Sequence, residues 1–453
     1  MENRREFLKK VSAGTAAMAI GGAGLGLSSK SYGQVLGAND KVRVCIVGFS
    51  DRFRGSLFPC FMNHAKNLNF EFVGVSDIWS VRRDEAKAFV KDKAGWDITT
   101  YRNNEEMYEK NALDAVIIST ADFQHAMHLT EAAKAKKDAY CEKPLGETMD
   151  DVNETMKACH ANNIVVQIGS QRRSTANYHA ANDYIRSGKF GDIVMVEMCW
   201  NVNQPGRWRR VETCKQIRKE DTDWVRFLNN RPPVDWDPRK YLEFRLFWPY
   251  SSGIPGQWMA HQIDTVHWFT GLAYPRSAVA GGGIYQWKDG RTNADTLTAV
   301  FDYGPDNDKT KGFQVVYSSR FSNSAGGTKE LYYSNAGMLN LDTNEITPTG
   351  GLREREAAVM GLKENLLQSS TLSKVEAITT DANTGGDNST SAHIRNWMEC
   401  VKAKNVKTNA PIEAGHSHVI ACSMANAAFR TGLRVTYDPK IQQIMAGGQV
   451  FKY

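Results

Sequence analysis

Past residue 30 the sequence has no uninterrupted apolar run of about 18 residues, the length a membrane-crossing helix requires. It has no Cys-x-x-Cys pair: the eight cysteines, at 45, 60, 141, 159, 199, 214, 400 and 422, are scattered. That spacing supplies neither a zinc site nor a disulfide framework. It also lacks a strong charge of either sign, because 56 Lys and Arg against 50 Asp and Glu leave only +6. Such a balance does not mark a nucleic-acid or membrane-surface binder. No internal repeat and no low-complexity tract occurs beyond the N-terminus. What remains is ordinary globular composition, 42% hydrophobic and 23% charged over 453 residues, enough for two separate cores.

The N-terminus reads as an address. Asn3-Arg4-Arg5-Glu6-Phe7-Leu8-Lys9 resembles a twin-arginine export signal, followed by a glycine-broken apolar stretch from Val11 to Leu27 and small residues at Ser31 and Gly33. No cysteine precedes Cys45, which argues against a lipid anchor. The expected segments are a signal over 1–33, a nucleotide-binding domain over 34–165 and a second domain over 166–453. Signals of this type carry folded proteins, typically with a cofactor inside. A periplasmic location, a tightly held cofactor and no membrane partner after signal removal are therefore expected.

Val42 to Val47 reads as a short apolar strand, followed by Gly48-Phe49-Ser50-Asp51-Arg52-Phe53-Arg54-Gly55 and a helix from near Ser56. A strand–turn–helix of this kind offers backbone N–H groups at a helix N-terminus to a pyrophosphate. Gly48 fits the first glycine of Gly-x-Gly-x-x-Gly, while Ser50 and Phe53 stand at the second and third. Ser50 is small enough for close backbone approach, and Phe53 is expected to widen the helix–strand contact. Ser50 and Arg52 could add side-chain donors to the cofactor-holding loop 48–52. A second strand, Phe70 to Val75, ends in Ser76-Asp77, where a carboxylate accepts hydrogen bonds from an adenosine ribose and favours NAD. Arg82 and Arg83 just beyond keep a 2′-phosphate, and so NADP, open. Further strands at 115–119, 139–141 and 164–168, with a helix over 124–136, call for a doubly wound parallel sheet. Ligands bind such sheets at the strand ends, which gathers Thr120, Asp122, His125 and Glu142-Lys143-Pro144 at one mouth.

These residues carry a resemblance. Glu142-Lys143-Pro144 after an apolar strand is similar to the EKP signature of the Gfo/Idh/MocA oxidoreductases. Asp122-Phe-Gln-His125 resembles that family's D-x-x-H, and Gln171-Arg172-Arg173 its QxR segment. Asp235 to Tyr241, Tyr250 to Gly253, His261-Gln-Ile-Asp264 and Pro411 to Gly415 resemble its later landmarks. The resemblance implies a Rossmann domain followed by an α+β domain with a large, open, mostly antiparallel sheet. Strands are expected at 193–198, 277–282, 296–301, 313–317 and 331–333, with helix over 389–432 folding back beside the nucleotide domain. It also implies an NAD(P)-dependent oxidoreductase acting on a hydroxyl-bearing carbon of a sugar, sugar derivative or cyclitol. Subunits of the family commonly pair through the open sheet, so a homo-oligomer is expected.

In that reading Lys143 is the active-site lysine, Glu142 positions it, and Gln171 belongs to the cofactor site. His261 is the general base, its imidazole suited to taking a proton near neutrality. The family often has Asp four residues before this histidine; here it is Gln257, which can bind a hydroxyl but accept no proton. Asp264 is expected to orient the imidazole. Arg172 and Trp208 join Gln257 and Asp264 as substrate-binding candidates, because aromatic faces and fixed arginines suit a polyhydroxylated ring. The 201–250 segment, dense in Trp and Arg, reads either as that wall or as an extension clamping a neighbouring subunit. His261, Asp264 and His267 are spread too widely around a helix for one ion, so no metal is expected. Two other functions fit the same residues: redox-assisted glycoside cleavage on a bound nicotinamide, and sugar binding without catalysis.

Overall fold

The computed structural model describes residues 41–361, 367–372 and 387–452; the export-like segment lies outside them. Strand β1 (Val42–Val47) is apolar and almost wholly buried, as a strand covered by helices on both sheet faces must be. It joins β2 (Phe70–Ser76), β3 (Thr99–Tyr101), β4 (Ala115–Ile118), β5 (Asp138–Cys141) and β6 (Val166–Ile168) in a parallel sheet ordered β3-β2-β1-β4-β5-β6. The order reverses between β1 and β4, and the strand ends open a crevice there.

Phe53 shows how the chain manages without the third glycine. Helical backbone begins at Asp51, a turn before the expected Ser56, and Phe53–Leu57 forms a π-helical turn that runs into the helix Phe58–Leu68. The Phe53 ring is fully buried, edge-on to Phe72 at 5.4 Å and to Phe58 at 6.1 Å. An aromatic cluster thus fills the helix–strand space that a glycine would close.

The second sheet has eleven strands among the described residues: β7 (Ile193–Trp200), β8 (Ser277–Gly283), β9 (Thr296–Tyr303), β10 (Phe313–Arg320), β11 (Thr328–Ser334), β12 (Gly337–Asn340), β13 (Glu345–Thr347), β14 (Ser370–Thr371), β15 (Val435–Asp438), β16 (Gln443–Ala446) and β17 (Gln449–Val450). Their order is β14-β13-β12-β11-β7-β10-β9-β8-β15-β16-β17, and the β7–β10 pair is parallel within an otherwise antiparallel sheet. Alternate residues such as Leu297, Ala299, Phe301 and Tyr303 are buried on one face, which packs with the helices Ala260–Thr270 and Ile412–Thr431 in one core.

The expected single helical stretch over 389–432 is two helices, Asn388–Ala403 and Ile412–Thr431. Lys404, at φ 50, ends the first. The link that follows lies along β6, where Ile168 N–H donates to Ala410 O at 2.8 Å and Thr408 Oγ1 to Val166 O at 2.6 Å. That contact covers an edge the parallel sheet would otherwise leave unpaired.

The 201–250 segment crosses the mouth of the nucleotide domain. Asp223 N–H donates to Ile78 O at 3.2 Å, Gln124 Nε2 to Phe227 O at 2.9 Å, and Arg226 pairs with Glu105 at 2.9 Å. Trp224, Phe227 and Tyr250 bury themselves against Phe123 of the nucleotide domain, with Trp236 packed alongside. Most of the tryptophan-rich stretch therefore serves packing within the chain rather than a sugar wall.

Candidate active site

A cleft of about 1460 Å³ runs from the ends of β1 and β2 to the second sheet. It is larger than the roughly 300–1,000 Å³ of a site for one small ligand. Of the catalytic, cofactor and substrate candidates read from the sequence, all but Asp122, Asp264 and Arg83 line it.

The nucleotide end is built by backbone constraint. Gly48 sits at φ +82, and a Cβ there would lie 2.6 Å from Thr120 Cγ2, so the position takes only glycine without strain. Asp77 accepts the N–H of Phe49 and that of Trp79, each at 2.9 Å, and so clamps the loop to the end of β2. Burial raises the Asp77 carboxyl above its ordinary range despite those bonds. The Phe49 ring points into the core, and the Ser50 hydroxyl accepts the Phe53 N–H at 3.1 Å and donates to Ser119 at 3.2 Å. The Asp51 side chain is about half exposed, 46%, and paired with Arg54 at 2.8 Å and Arg210 at 3.0 Å; against its partial desolvation, Arg82, Arg210 and Arg54 hold its carboxyl below the usual range. Arg83 is committed to the Asp77 carbonyl at 2.7 Å, whereas Arg82 lies over Trp79 and lines the cleft.

Two features fit a dinucleotide here: the space that only a glycine leaves beside Thr120, and the Thr120 hydroxyl itself, buried with no hydrogen-bond partner among the described residues.

Glu142 and Lys143 leave β5 at the centre of the cleft. Burial alone would raise the Glu142 carboxyl, but Arg52, bonded to it at 2.9 Å, holds it below the ordinary range. Arg52 also donates to Ser56 at 2.8 Å, and the Gln171 amide turns its oxygen toward the same guanidinium. Lys143 Nζ donates to the carbonyls of Gln257 at 2.6 Å and Gly256 at 3.5 Å. Burial pulls its pKa down to about 8, opposed by the carboxylates of Asp122 and Glu142. His125 faces the carbonyls of Pro144 at 2.7 Å and Thr120 at 3.2 Å, which makes it a brace between two strand ends.

Two expectations are corrected. Asp122 is 1% exposed and lies beneath the site, taking hydrogen bonds from Ser251 at 2.7 Å and from Gln257 Nε2; it does not reach the cleft. Asp264 is wholly buried and bonds Arg173 twice, at 2.8 and 2.9 Å, so it neither orients His261 nor meets substrate. His261 lines the cleft, and its ring nitrogens make no hydrogen bond to the described residues. Burial, then the positive charges of Lys143 and Arg172, push its pKa well below 6.5, so it stands as a neutral imidazole. Between the two, Lys143 is the group that titrates near neutrality.

Gln257 is held from both sides: Arg245 Nε donates to its Oε1 at 2.8 Å, and its own amide donates to Asp122. Arg172, bonded to buried Glu330, lines the cleft with its guanidinium 5.8 Å from the Trp200 ring. Trp200 and Trp258 lie 4.7 Å apart, Trp208 is 6.1 Å from Trp258, and Arg207 stacks on Trp258 at 4.4 Å. Trp200, Trp258 and Arg245 were not singled out by sequence. Trp200 ends a strand and Trp258 adjoins Gln257, but nothing local distinguishes them from core tryptophans.

Residues 42–170 match the family model described as "Oxidoreductase family, NAD-binding Rossmann fold", the Gfo/Idh/MocA group. The inositol 2-dehydrogenase of Salmonella typhimurium (strain LT2) is 32% identical over 186 residues, 41% of this chain and 52% of the relative. The chain spans between 23% and 55% of the length of the curated relatives it matches. Among solved structures, the WlbA dehydrogenase of Bordetella pertussis with NADH and UDP-GlcNAcA superposes with a TM-score of 0.60 at 15% identity, over 88% of this chain and 99% of that one. Levoglucosan dehydrogenase with NADH and levoglucosan gives 0.61 at 12% identity, again over 88% and 99%. Likeness at that identity shows a common fold across both sheets.

Proposed function

We propose that the protein is an exported, NAD-dependent oxidoreductase that acts on a hydroxyl-bearing carbon of a sugar, sugar derivative or cyclitol. The observation that carries this reading is Lys143, a partly buried amine with a pKa of about 8 at the centre of a cleft whose other end is built for a dinucleotide. The relatives support it by kind, as dehydrogenases of inositol and levoglucosan.

The loop at Gly48, Thr120, Asp77, Glu142 and Gln171 would hold the dinucleotide. When bound, it supplies the acceptor or donor of the hydride. The protein's own part is proton handling and orientation. Two of the three Lys143 N–H positions are fixed on the carbonyls of Gln257 and Gly256, which leaves the third for a substrate hydroxyl. As an ammonium it stabilises developing alkoxide; as an amine it takes the hydroxyl proton. Neutral His261 accepts a second hydrogen bond and repels no cation. Trp200, Trp208 and Trp258 offer rings to the C–H faces of the substrate. Asp77 favours NAD, and the sequence ahead of residue 34 supports export with the cofactor inside.

The test is to screen the purified mature protein on sugars, cyclitols and glycosides while following nicotinamide absorbance and product mass. A ketone or lactone product supports the reading. A free sugar and an alcohol released without net redox change would instead support glycoside cleavage. Finding neither a spectral change nor a new product on any substrate would overturn both.

A further inference from the structure

The cleft does not end at the reacting centre. Beyond Arg172 and Trp200 it continues between the first turn of the helix Ala176–Arg186 and the turn after β12, where Asn177, Thr328, Asp342 and Asn344 line it. Thr328 is the register partner of Trp200, so this arm adjoins the aromatic wall directly. Asn177 is only 5% exposed; its amide nitrogen donates to Asn344 Oδ1 at 2.6 Å, while its own Oδ1 has no partner among the described residues. A buried amide oxygen without a donor is destabilising, and a ligand hydroxyl would supply one. Asn344 is held at φ 59, and Asp342 is exposed, so the arm opens to solvent. Two neutral amides, one hydroxyl and a carboxylate at the mouth suit hydroxyl groups and disfavour an anion such as a phosphate.

Resting on the reading of this site as a carbohydrate oxidoreductase, we infer that the arm is a subsite for a second polyhydroxylated unit: the substrate is a glycoside or oligosaccharide whose oxidised ring lies at Lys143 and whose next unit reaches Asn177 and Asn344. A dinucleotide held at Asp77 and Thr120 and a ring at Lys143 would leave the part of the cleft lined by Asn177, Thr328, Asp342 and Asn344 as further polar space.

The experiment compares a monosaccharide, its methyl glycoside and a disaccharide carrying the same oxidised ring, on the holoenzyme as purified. The disaccharide should exceed the monosaccharide in kcat/KM by about tenfold, the effect of one hydrogen bond to an otherwise unsatisfied buried group. Asn177→Ala and Asn344→Gly, the latter keeping the left-handed backbone unstrained, should each remove most of that advantage and leave monosaccharide turnover unchanged. Equal rates on all three sugars in the wild type overturn the inference. So does an advantage that survives both substitutions, and so does an equal loss on the monosaccharide, which would place the pair at the reacting centre. If no sugar of any length is oxidised, the oxidoreductase reading has failed, and calorimetric binding of the same sugars decides the arm by itself. A disaccharide preference that Asn177→Ala abolishes keeps it, and equal affinities overturn it.

Discussion

Lys143 offers a test whose magnitude comes from its surroundings. Held to about 8 against an ordinary 10.5, it is uncharged in about one molecule in ten at pH 7, against about one in three thousand for an exposed lysine. Oxidation requires Lys143 to take a proton, so the oxidative rate should rise with pH through about 8 and level off above it. Reduction requires the ammonium and should fall through the same value. Lys143→Ala should lower kcat by about 10²–10⁴-fold, the range for a positioned acid or base, and abolish the limb. The Asp122 charge raises the lysine pKa, so Asp122→Asn should move the limb to lower pH. Stability carries an independent sign. The folded chain binds this proton less tightly than the unfolded chain, so the site's contribution rises between pH 8 and 10.5 and is unfavourable at pH 7. Lys143→Met should therefore raise the thermal midpoint at pH 7 while turnover is lost, the gain being reduced by two carbonyls that lose their donor. Single-turnover absorbance across pH 6 to 10 and a melting curve measure both. An oxidative rate flat from pH 7 to 9, or a limb that persists in Lys143→Ala, refutes the assignment.

Other expectations are simpler. Asp77→Ala should narrow the preference for NAD over NADP, measured as the ratio of the two dissociation constants; an unchanged ratio would shift the choice to Arg82. The wild type is expected to purify with bound dinucleotide; Gly48→Ala puts a methyl against Thr120 and should give protein that purifies empty, both read by absorbance of the denatured supernatant. Asp264→Asn weakens a buried ion pair and leaves Arg173 without its counter-charge, which costs up to about 3–5 kcal/mol; urea unfolding should register the loss while the pH dependence of turnover stays in place.

Much of the site was legible before folding. Strand–turn–helix order, Gly48, Asp77 and the Glu142-Lys143-Pro144 triplet are local features, because a parallel sheet puts the residue after each strand at the same end. The strands expected at 296–301 and 313–317 fall within β9 and β10, where burial alternates because one face is covered. Local spacing misled at Asp264. Three residues along a helix bring two side chains near each other, but Arg173, more than ninety positions away, takes the carboxylate in a bidentate contact that His261 could not match.

Sequence by itself determined which backbone could meet a dinucleotide, since a position with φ +82 and no room for a Cβ is written as glycine and nothing else. Only the tertiary structure decided which charged groups face the cleft and in which protonation state. Asp122 and His261 keep their chemical identity anywhere in the chain, but one is buried beneath Gln257 and the other is surrounded by Lys143, Arg172 and Arg52. The physical reason is that desolvation and Coulomb energy depend on distance through the folded molecule, and those distances are set by packing between segments far apart in sequence.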